Sequence, residues 1–254
     1  MSFFGLEAGE INFVGFSNYI ELINSERFHV ILKNTLIFTF ASVFFHLGFG
    51  LFLASLLNIN IKFRNLFRAL QLIPWLFPPM VACIFWLLMY QRQLGLINNV
   101  LLSLNLSHFA REWLGSPNTA MAAVIVVNVW LGYSFFTLMI LAGMQNIPIS
   151  LYEAAQIDGA TGWKSFTHIT LPLLKPVLLT LFILDTIWTF RVFDVIWVLT
   201  KGGPVYSTEV LATYTYKIAF TEFDYYKAAT VGGFMLIIMV IFTLFYVSVY
   251  TRKD

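Results

Sequence analysis

Charge is what this chain has least of. Asp, Glu, Lys and Arg together make up 11% of its 254 residues, where a soluble globular domain carries about 25%, and the long interior runs hold almost none of it. That shortfall excludes an ordinary water-soluble domain. The net charge of +2, with no basic stripe interleaved with aromatics, excludes nucleic acid as a partner. Cysteine is nearly absent too. The single Cys83 lies inside an apolar run, can form no disulfide within the chain, and reads as a small packed hydrophobe. The histidines His29, His46, His108 and His168 share no ligand spacing, so no metal centre is expected. No pair of carboxylates converges by spacing either, and no catalytic residue is expected.

What the chain does have is apolar length. Hydrophobic residues are 59% of it and aromatics 18%. A bilayer core about 30 Å thick is crossed by about 20 apolar residues in a helix. Five runs qualify: Asn34–Leu57, Arg68–Tyr90, Thr119–Gly143, Leu173–Thr200 and Thr230–Tyr250. Each is mainly Leu, Ile, Val, Phe and Trp, without the short alternating segments of a barrel, so helices are the expected spanning form. The fold class is therefore an all-α polytopic membrane protein. Positive charge orients it only in part. With Asn58–Phe67, Met144–Pro172 and the C-terminus on the cytoplasmic side, that side holds Lys62, Arg64, Arg68, Lys164, Lys175, Arg252 and Lys253. The other side holds Arg27, Lys33, Arg92, Arg111, Lys201, Lys217 and Lys227. The counts are equal, but the cytoplasmic segments are roughly half as long, so their density of positive charge is higher, in the direction of the positive-inside rule. The same orientation leaves Met1–Lys33 outside, a segment with Glu7, Glu10, Glu21 and Glu26 and no apolar run to export it.

One polar, glycine-punctuated stretch interrupts the apolar pattern. Pro148 closes the run before it, and Ser150-Leu151-Tyr152-Glu153 has the form of a capping box, with serine at the cap and glutamate at the third helical position. Ala154 and Ala155 are small enough to let another surface approach. Asp158-Gly159 supplies a turn in which Gly159 is free to take positive φ. A second short helical piece is expected over about Gly162–His168. Leu171-Pro172 is expected to open the next span, since proline is tolerated in a first helical turn. On local grounds Glu153 caps its own helix, docks a partner, or does both. Nearby, Gly159-Ala160-Thr161-Gly162-Trp163-Lys164-Ser165 imitates a phosphate-binding loop. That loop needs four residues between its glycines and a lysine directly after the second. Here two residues separate them and Trp163 intervenes, so no nucleotide site is assigned to this chain.

The spacing of this stretch is Glu153-Ala154-Ala155, three residues, Gly159, nine residues, Ile169-Thr170-Leu171-Pro172. It resembles the cytoplasmic signature loop of ABC-transporter permeases of the binding-protein-dependent kind. Further segments resemble the carbohydrate-importing branch of that family over nearly the whole chain. They are Phe13-Val14-Gly15-Phe16-Ser17-Asn18-Tyr19 with Asn34-Thr35-Leu36, Arg64-Asn65-Leu66-Phe67-Arg68 with Ile73-Pro74, Val129-Trp130, and Leu141–Pro148. Phe193-Asp194 follows, then Leu199-Thr200-Lys201-Gly202-Gly203-Pro204 and Ser207-Thr208-Glu209. Locally, Gly-Gly-Pro also reads as a helix end followed by a new helix capped by Ser207 and running through Phe220. Phe193-Asp194 with Gly-Gly-Pro looks like the maltose-type first permease subunit.

The resemblance implies a type I ABC importer transmembrane domain at residues 34–254 with a coupling loop at 144–172, in a prokaryotic inner membrane with the C-terminus cytoplasmic. It implies a sugar substrate, of oligosaccharide or polyol type. Its implied partners are a second permease subunit, a pair of ATPase subunits that bind ATP and magnesium, an extracytoplasmic sugar-binding protein and the lipid bilayer. No cofactor is implied in this chain. The coupling residues carried over are Glu153, Ala154, Ala155, Asp158, Gly159, Ile169, Leu171 and Pro172, on short helices that insert into a cleft of the ATPase. The family's six-span core has a first helix before the Phe-Val-Gly region. Only twelve residues precede Phe13 here, so residues 1–33 are expected to be an external segment whose preceding span is missing, leaving five spans of six.

Asp185, Arg191 and Asp194 fall inside the fourth run. A charge at mid-membrane costs about 2.5–3.5 kcal/mol on insertion scales, so each requires a partner or water. Arg191 and Asp194, three apart, are expected to pair along one helix. Trp188 stands three residues from both Asp185 and Arg191. Such a group could line a sugar path, with aromatic faces against C–H groups and charged groups on hydroxyls, or it could fix helix packing. Asn128, Trp130, Tyr133 and Ser134 form a second polar and aromatic group in the third run, open to the same two readings. Pro74, Pro78 and Pro79 are expected to kink the second run. The alternatives to an importer are an ion-coupled secondary transporter working through Asp185 and an integral-membrane enzyme using Asp185, Arg191 or a histidine.

Overall fold

The computed structural model describes residues 1–7, 10–59 and 62–251. A short antiparallel hairpin, β1 (Phe4–Glu7) with β2 (Glu10–Phe13), comes first, Phe4 opposite Phe13. Helices follow: α1 (Ser17–Asn24), α2 (Glu26–Asn58), α3 (Arg64–Leu70), α4 (Ile73–Leu76), α5 (Pro79–Met89), α6 (Leu96–Ser103) and α7 (Pro117–Gln145). After them come α8 (Ile149–Ile157), α9 (Gly162–Ser165), α10 (Leu171–Phe190), α11 (Asp194–Leu199), α12 (Leu211–Phe220) and α13 (Tyr225–Thr251).

Among the described residues four helical stretches are long and apolar enough to cross a membrane: Glu26–Asn58, Pro117–Gln145, Gly162–Phe190 and Tyr225–Ser248. The broken pair Arg64–Leu76 and Pro79–Met89 makes a fifth if counted as one span. All the expected runs are thus helical, with shifted ends. They leave large apolar side chains such as Phe44, Phe52, Leu88, Leu244 and Phe245 exposed. In water that surface would drive aggregation; in lipid it is what a spanning helix needs. The second run breaks at Phe77-Pro78, because consecutive prolines remove backbone donors and clash with the preceding turn.

The fourth run departs from expectation. Its helix stops at Phe190 and α11 restarts at Asp194, so Arg191 and Asp194 do not share a helix. The three-residue spacing then no longer stacks them, and among the described residues no ion pair joins them. Arg191 is exposed. Arg252 and Lys253, counted in the charge balance, lie outside the described residues.

The chain divides into two structural units. One holds the residues up to Phe40, Pro79–Val127 and those from Ile187 onward. Its core joins Leu22 of α1, Phe28 and Ile31 of α2, Leu211, Tyr214 and Ile218 of α12, and Val231 of α13. Glu209, 0% exposed, takes Arg27 at 3.1 Å and Lys217 as counter-ions. The Arg27 guanidinium also lies over the rings of Tyr206 and Tyr214, at 4.4 and 4.8 Å. Asn34 donates to the Tyr206 and Glu209 carbonyls, so the segment after Gly202-Gly203-Pro204 is sewn to α2. The expected Ser207 cap is not used. α12 starts later, and Thr213 Oγ1 accepts from the Val210 backbone N–H instead.

The other unit holds Ala41–Pro78 and Asn128–Thr186. Its core is built from Ala54 and Leu57 of α2, Phe136, Ile140, Leu141 and Met144 of α7, and Leu174 and Leu181 of α10. Two glycines let these helices approach closely: a Cβ on Gly50 would meet Phe136 at 3.0 Å, and one on Gly143 would meet Leu174 at 2.9 Å. Small residues at crossings serve helix association in lipid, where apolar side chains gain nothing by avoiding the solvent.

Candidate coupling loop and a buried polar cluster

The polar loop between α7 and α10 is built by its backbone. Pro148, extended at φ −57° and ψ 130°, directs the chain into α8, and its carbonyl accepts from the Leu151 N–H. Ile149 therefore takes the first helical position. The expected capping box fails for this reason: Ser150 is already inside the helix, no side chain caps it, and Glu153 lies beyond reach of the helix end. α8 stops as expected. Gly159 adopts φ +74°, and the Gly159 and Ala160 N–H groups bond back to the Gln156 and Ala155 carbonyls. That pairing is the Schellman motif, which glycine permits at low cost.

The second helical piece does not end before the span. Thr161 caps α9 through a bond from the Lys164 N–H. The chain then passes through a π turn, Phe166–Thr170, directly into α10. Leu171-Pro172 is therefore inside one continuous helix, Gly162–Phe190, and not its start. The π turn explains how this is tolerated. Pro172 lacks an N–H and its ring would press on the carbonyl four residues back; a wider turn, with the Leu171 N–H reaching Phe166, makes the room.

Glu153, Ala154, Asp158 and Gly159 are exposed and Ala155 half-buried. No hydrogen bond or ion pair engages Glu153 among the described residues. Exposed apolar side chains surround it on the same loop: Ile149, Leu151, Ile157 and Trp163. This apolar rim was not singled out from sequence, although Ile157 beside Asp158-Gly159 was a visible signal. Behind α8 lies a cavity of about 440 Å³ lined by Ser55, Asn58, Met144, Tyr152, Gln156 and Phe166. Across it, α8 is tied to the following helix by a 2.8 Å bond shared by Tyr152 Oη and Thr170 Oγ1. Ile169 and Leu171 flank that anchor.

The candidate path residues fare differently. Trp130 and Tyr133 are half-buried on α7, with the Trp130 ring 6.2 Å from Phe77. Trp188 is exposed on α10. Asp185 is not open to a path: it is 2% exposed and bound to His46. His46 Nδ1 lies 2.9 and 3.1 Å from the two Asp185 oxygens, and Nε2 lies 3.0 Å from the Asn128 backbone carbonyl oxygen. Asn128 thus takes part through its backbone. The sequence shows His46 only as one of four histidines without metal spacing, open to the enzyme alternative, and does not link it to Asp185. The signal that points to it is its depth, since a histidine and an aspartate far inside two apolar runs each need a polar partner.

Four to five stretches able to span a membrane, with an exposed, glycine-terminated loop between two of them, make the described residues those of a multi-pass membrane protein. Residues 46–253 match the pattern of the binding-protein-dependent transport system inner membrane component, and the chain belongs to that family. It is similar to the trehalose/maltose transport system permease protein MalF of Thermococcus litoralis, at 40% identity over 94% of this chain and 79% of that one. Its fold matches the crystal structure of a bacterial ABC transporter involved in the import of the acidic polysaccharide alginate, with TM-score 0.83 and 27% identity over 94% and 84% of the two chains. It also matches the alginate transporter in complex with an alginate pentasaccharide-bound periplasmic protein, with TM-score 0.81 and 27% identity over 91% and 81%. The chain is therefore a multi-pass inner-membrane permease component of an ABC importer, a transport subunit and not an enzyme.

Proposed function

We propose that this subunit imports a sugar, of oligosaccharide or polyol type, and that Glu153–Pro172 couples it to a pair of ATPase subunits. The observation that carries the coupling role is the loop itself. It offers an unengaged carboxylate, Glu153, beside small Ala154 and an apolar rim of Ile157 and Trp163, on a helix closed by the Gly159 turn. Such a surface fits insertion into a cleft with a basic residue facing Glu153. The sugar class draws support from the relatives, which carry trehalose, maltose or alginate.

In this reading the loop is cytoplasmic, and so is the C-terminus. A second permease subunit completes the path, an extracytoplasmic binding protein delivers the sugar, and ATP and magnesium are held by the ATPases. Trp130 and Tyr133 on α7, Trp188 on α10 and Arg191 just after it are the side chains proposed to meet sugar. ATP closes the ATPases, the loops converge and the spans open outward; hydrolysis resets them. Binding energy drives this only through different affinities for the two states.

Glu153→Lys and Gly159→Pro are expected to abolish ATP hydrolysis stimulated by the loaded binding protein, with the subunit still inserted and assembled. The first reverses the docking charge, and the second cannot adopt φ +74°. Normal stimulation in both variants would refute the docking role.

A further inference from the structure

We propose that His46, Asp185 and the Asn128 carbonyl form a one-proton clamp that fixes α7 and α10 to α2, and that this clamp is the joint through which the coupling loop moves those helices. The proposal rests on the coupling role assigned above to Glu153–Pro172. Both ring nitrogens of His46 face acceptors. Nε2 faces the Asn128 carbonyl at 3.0 Å, and a carbonyl only accepts, so Nε2 carries a hydrogen. Nδ1 faces both Asp185 oxygens, at 2.9 and 3.1 Å. Near-equal distances to two oxygens are the geometry of one N–H shared by a carboxylate. A bare Nδ1 would instead set its lone pair against those of an ionised Asp185, and a protonated Asp185 would hold a bare Nδ1 through one oxygen and not two. The ring is therefore an imidazolium and the pair as a whole carries no net charge. The side chains are 4% and 3% exposed, so neither can turn to water, and loss of one removes the counter-charge of the other.

The surrounding helix is shaped for this ring. The Asn128 carbonyl already points along α7 toward position 132. A side chain there would cover it, but Gly132 leaves it open to a second donor: a Cβ on Gly132 would overlap Nε2, Cε1 and Cδ2 of His46. One turn further, Phe136 stacks on the imidazole with centroids 5.1 Å apart and planes 15° apart. α7 therefore grips the ring through three successive turns, and α10 holds its other edge through Asp185. α7 enters the coupling loop and α10 leaves it. Van der Waals packing holds apolar helices together in lipid; the polar pin adds a directional contact about which these two can pivot. His46, Asp185 and Gly132 are thus positioning residues and do not touch sugar.

The test uses the transporter assembled with its second permease, ATPases and binding protein. Nitrogen-15 NMR of labelled histidine, with the His46 signals assigned by their loss in His46→Gln, is expected to find both His46 nitrogens protonated. A bare nitrogen at either position overturns the clamp. Coupling is read as stimulation of ATP hydrolysis by binding protein loaded with whichever of trehalose, maltose and alginate oligosaccharide stimulates the parent. Asp185→Asn can donate its amide N–H to a neutral Nδ1 and is expected to keep stimulation within about twofold of the parent, whereas Asp185→Leu, of similar size but apolar, is expected to lose about tenfold. Equal stimulation in the two variants overturns the joint. If Asp185→Leu does not assemble, the double variant His46→Leu with Asp185→Leu, which leaves no buried charge at the clamp, takes its place, and stimulation within about twofold of the parent overturns the joint. Normal stimulation in Glu153→Lys would instead remove the loop's role and leave the NMR result standing, so the two failures are distinguishable.

Discussion

Gly132→Ala is expected to reverse the usual sign of a glycine-to-alanine change in a helix. Alanine is favoured over glycine in a helix interior by about 1 kcal/mol, so on an open face the substitution stabilises or is neutral. Gly48 in α2 and Gly232 in α13 have open space where a Cβ would stand, and their alanine variants are expected to melt at or slightly above the parent. At Gly132 the new methyl overlaps three atoms of the His46 ring, which is buried and held by Phe136 on one face. Driving the ring back removes its bond to the Asn128 carbonyl. A hydrogen bond to a charged group contributes about 1.5–3 kcal/mol. Set against the helix gain of about 1 kcal/mol, the net destabilisation is about 0.5–2 kcal/mol. It is larger if the Asp185 contact is lost as well, since a stranded buried charge costs about 3–5 kcal/mol. Thermal melting of the purified subunit in detergent measures this, with tryptophan fluorescence as one probe. Labelling of the single, fully buried Cys83 by a thiol reagent is a second. Gly132→Ala melting at or above Gly48→Ala would refute the reasoning, because the imidazole would then have room that the geometry denies it.

Glu209→Gln should lower the melting point, because it leaves Arg27 and Lys217 without their shared anion. Those cations are 32% and 23% exposed and can rehydrate, so the expected loss is about 2 kcal/mol, below the range for a fully buried pair. Tyr152→Phe removes the bond to Thr170, worth about 1 kcal/mol, and should speed amide hydrogen exchange across Ile149–Ile157 without changing the melting point of the whole subunit.

How much was legible beforehand follows from the range of the interactions involved. Five apolar runs announced five helical stretches, because burial in lipid is decided by composition over about 20 residues. Pro78 and Pro79 announced the break in the second run, and Gly159 the turn after α8, since both effects are local to the backbone. The ends were less legible. Ser150 against Ile149 as first helical residue was a choice of one position, made by the extended Pro148 backbone. The break after Phe190 has no proline or glycine to mark it, and it undid the Arg191–Asp194 pair. Farther still from sequence was the partner of Asp185. His46 stands 139 positions away, and no local spacing connects them. Only the requirement that each isolated polar group be satisfied, applied to both runs together, could have paired them.

That requirement also makes the pair hard to explain by stability alone. Replacing a buried ion pair by apolar side chains is often neutral or stabilises by about 1–4 kcal/mol. His46→Leu combined with Asp185→Leu should therefore melt no lower than the parent, in contrast to either single change, which leaves a buried side chain without its counter-charge. An apolar seam among α2, α7 and α10 would, however, lose the polar contact that joins all three helices. Leu181, Phe136 and Ala54 pack there already, and contacts of that kind carry no directional bond from α2 to both α7 and α10. The double variant is thus expected to be well folded and poorly coupled, with high basal ATP hydrolysis and little further stimulation by the loaded binding protein. Melting and ATPase assays on the same preparation separate the two quantities. If stimulation survives in a double variant as stable as the parent, the pair is a packing feature and the coupling loop acts on these helices by another route.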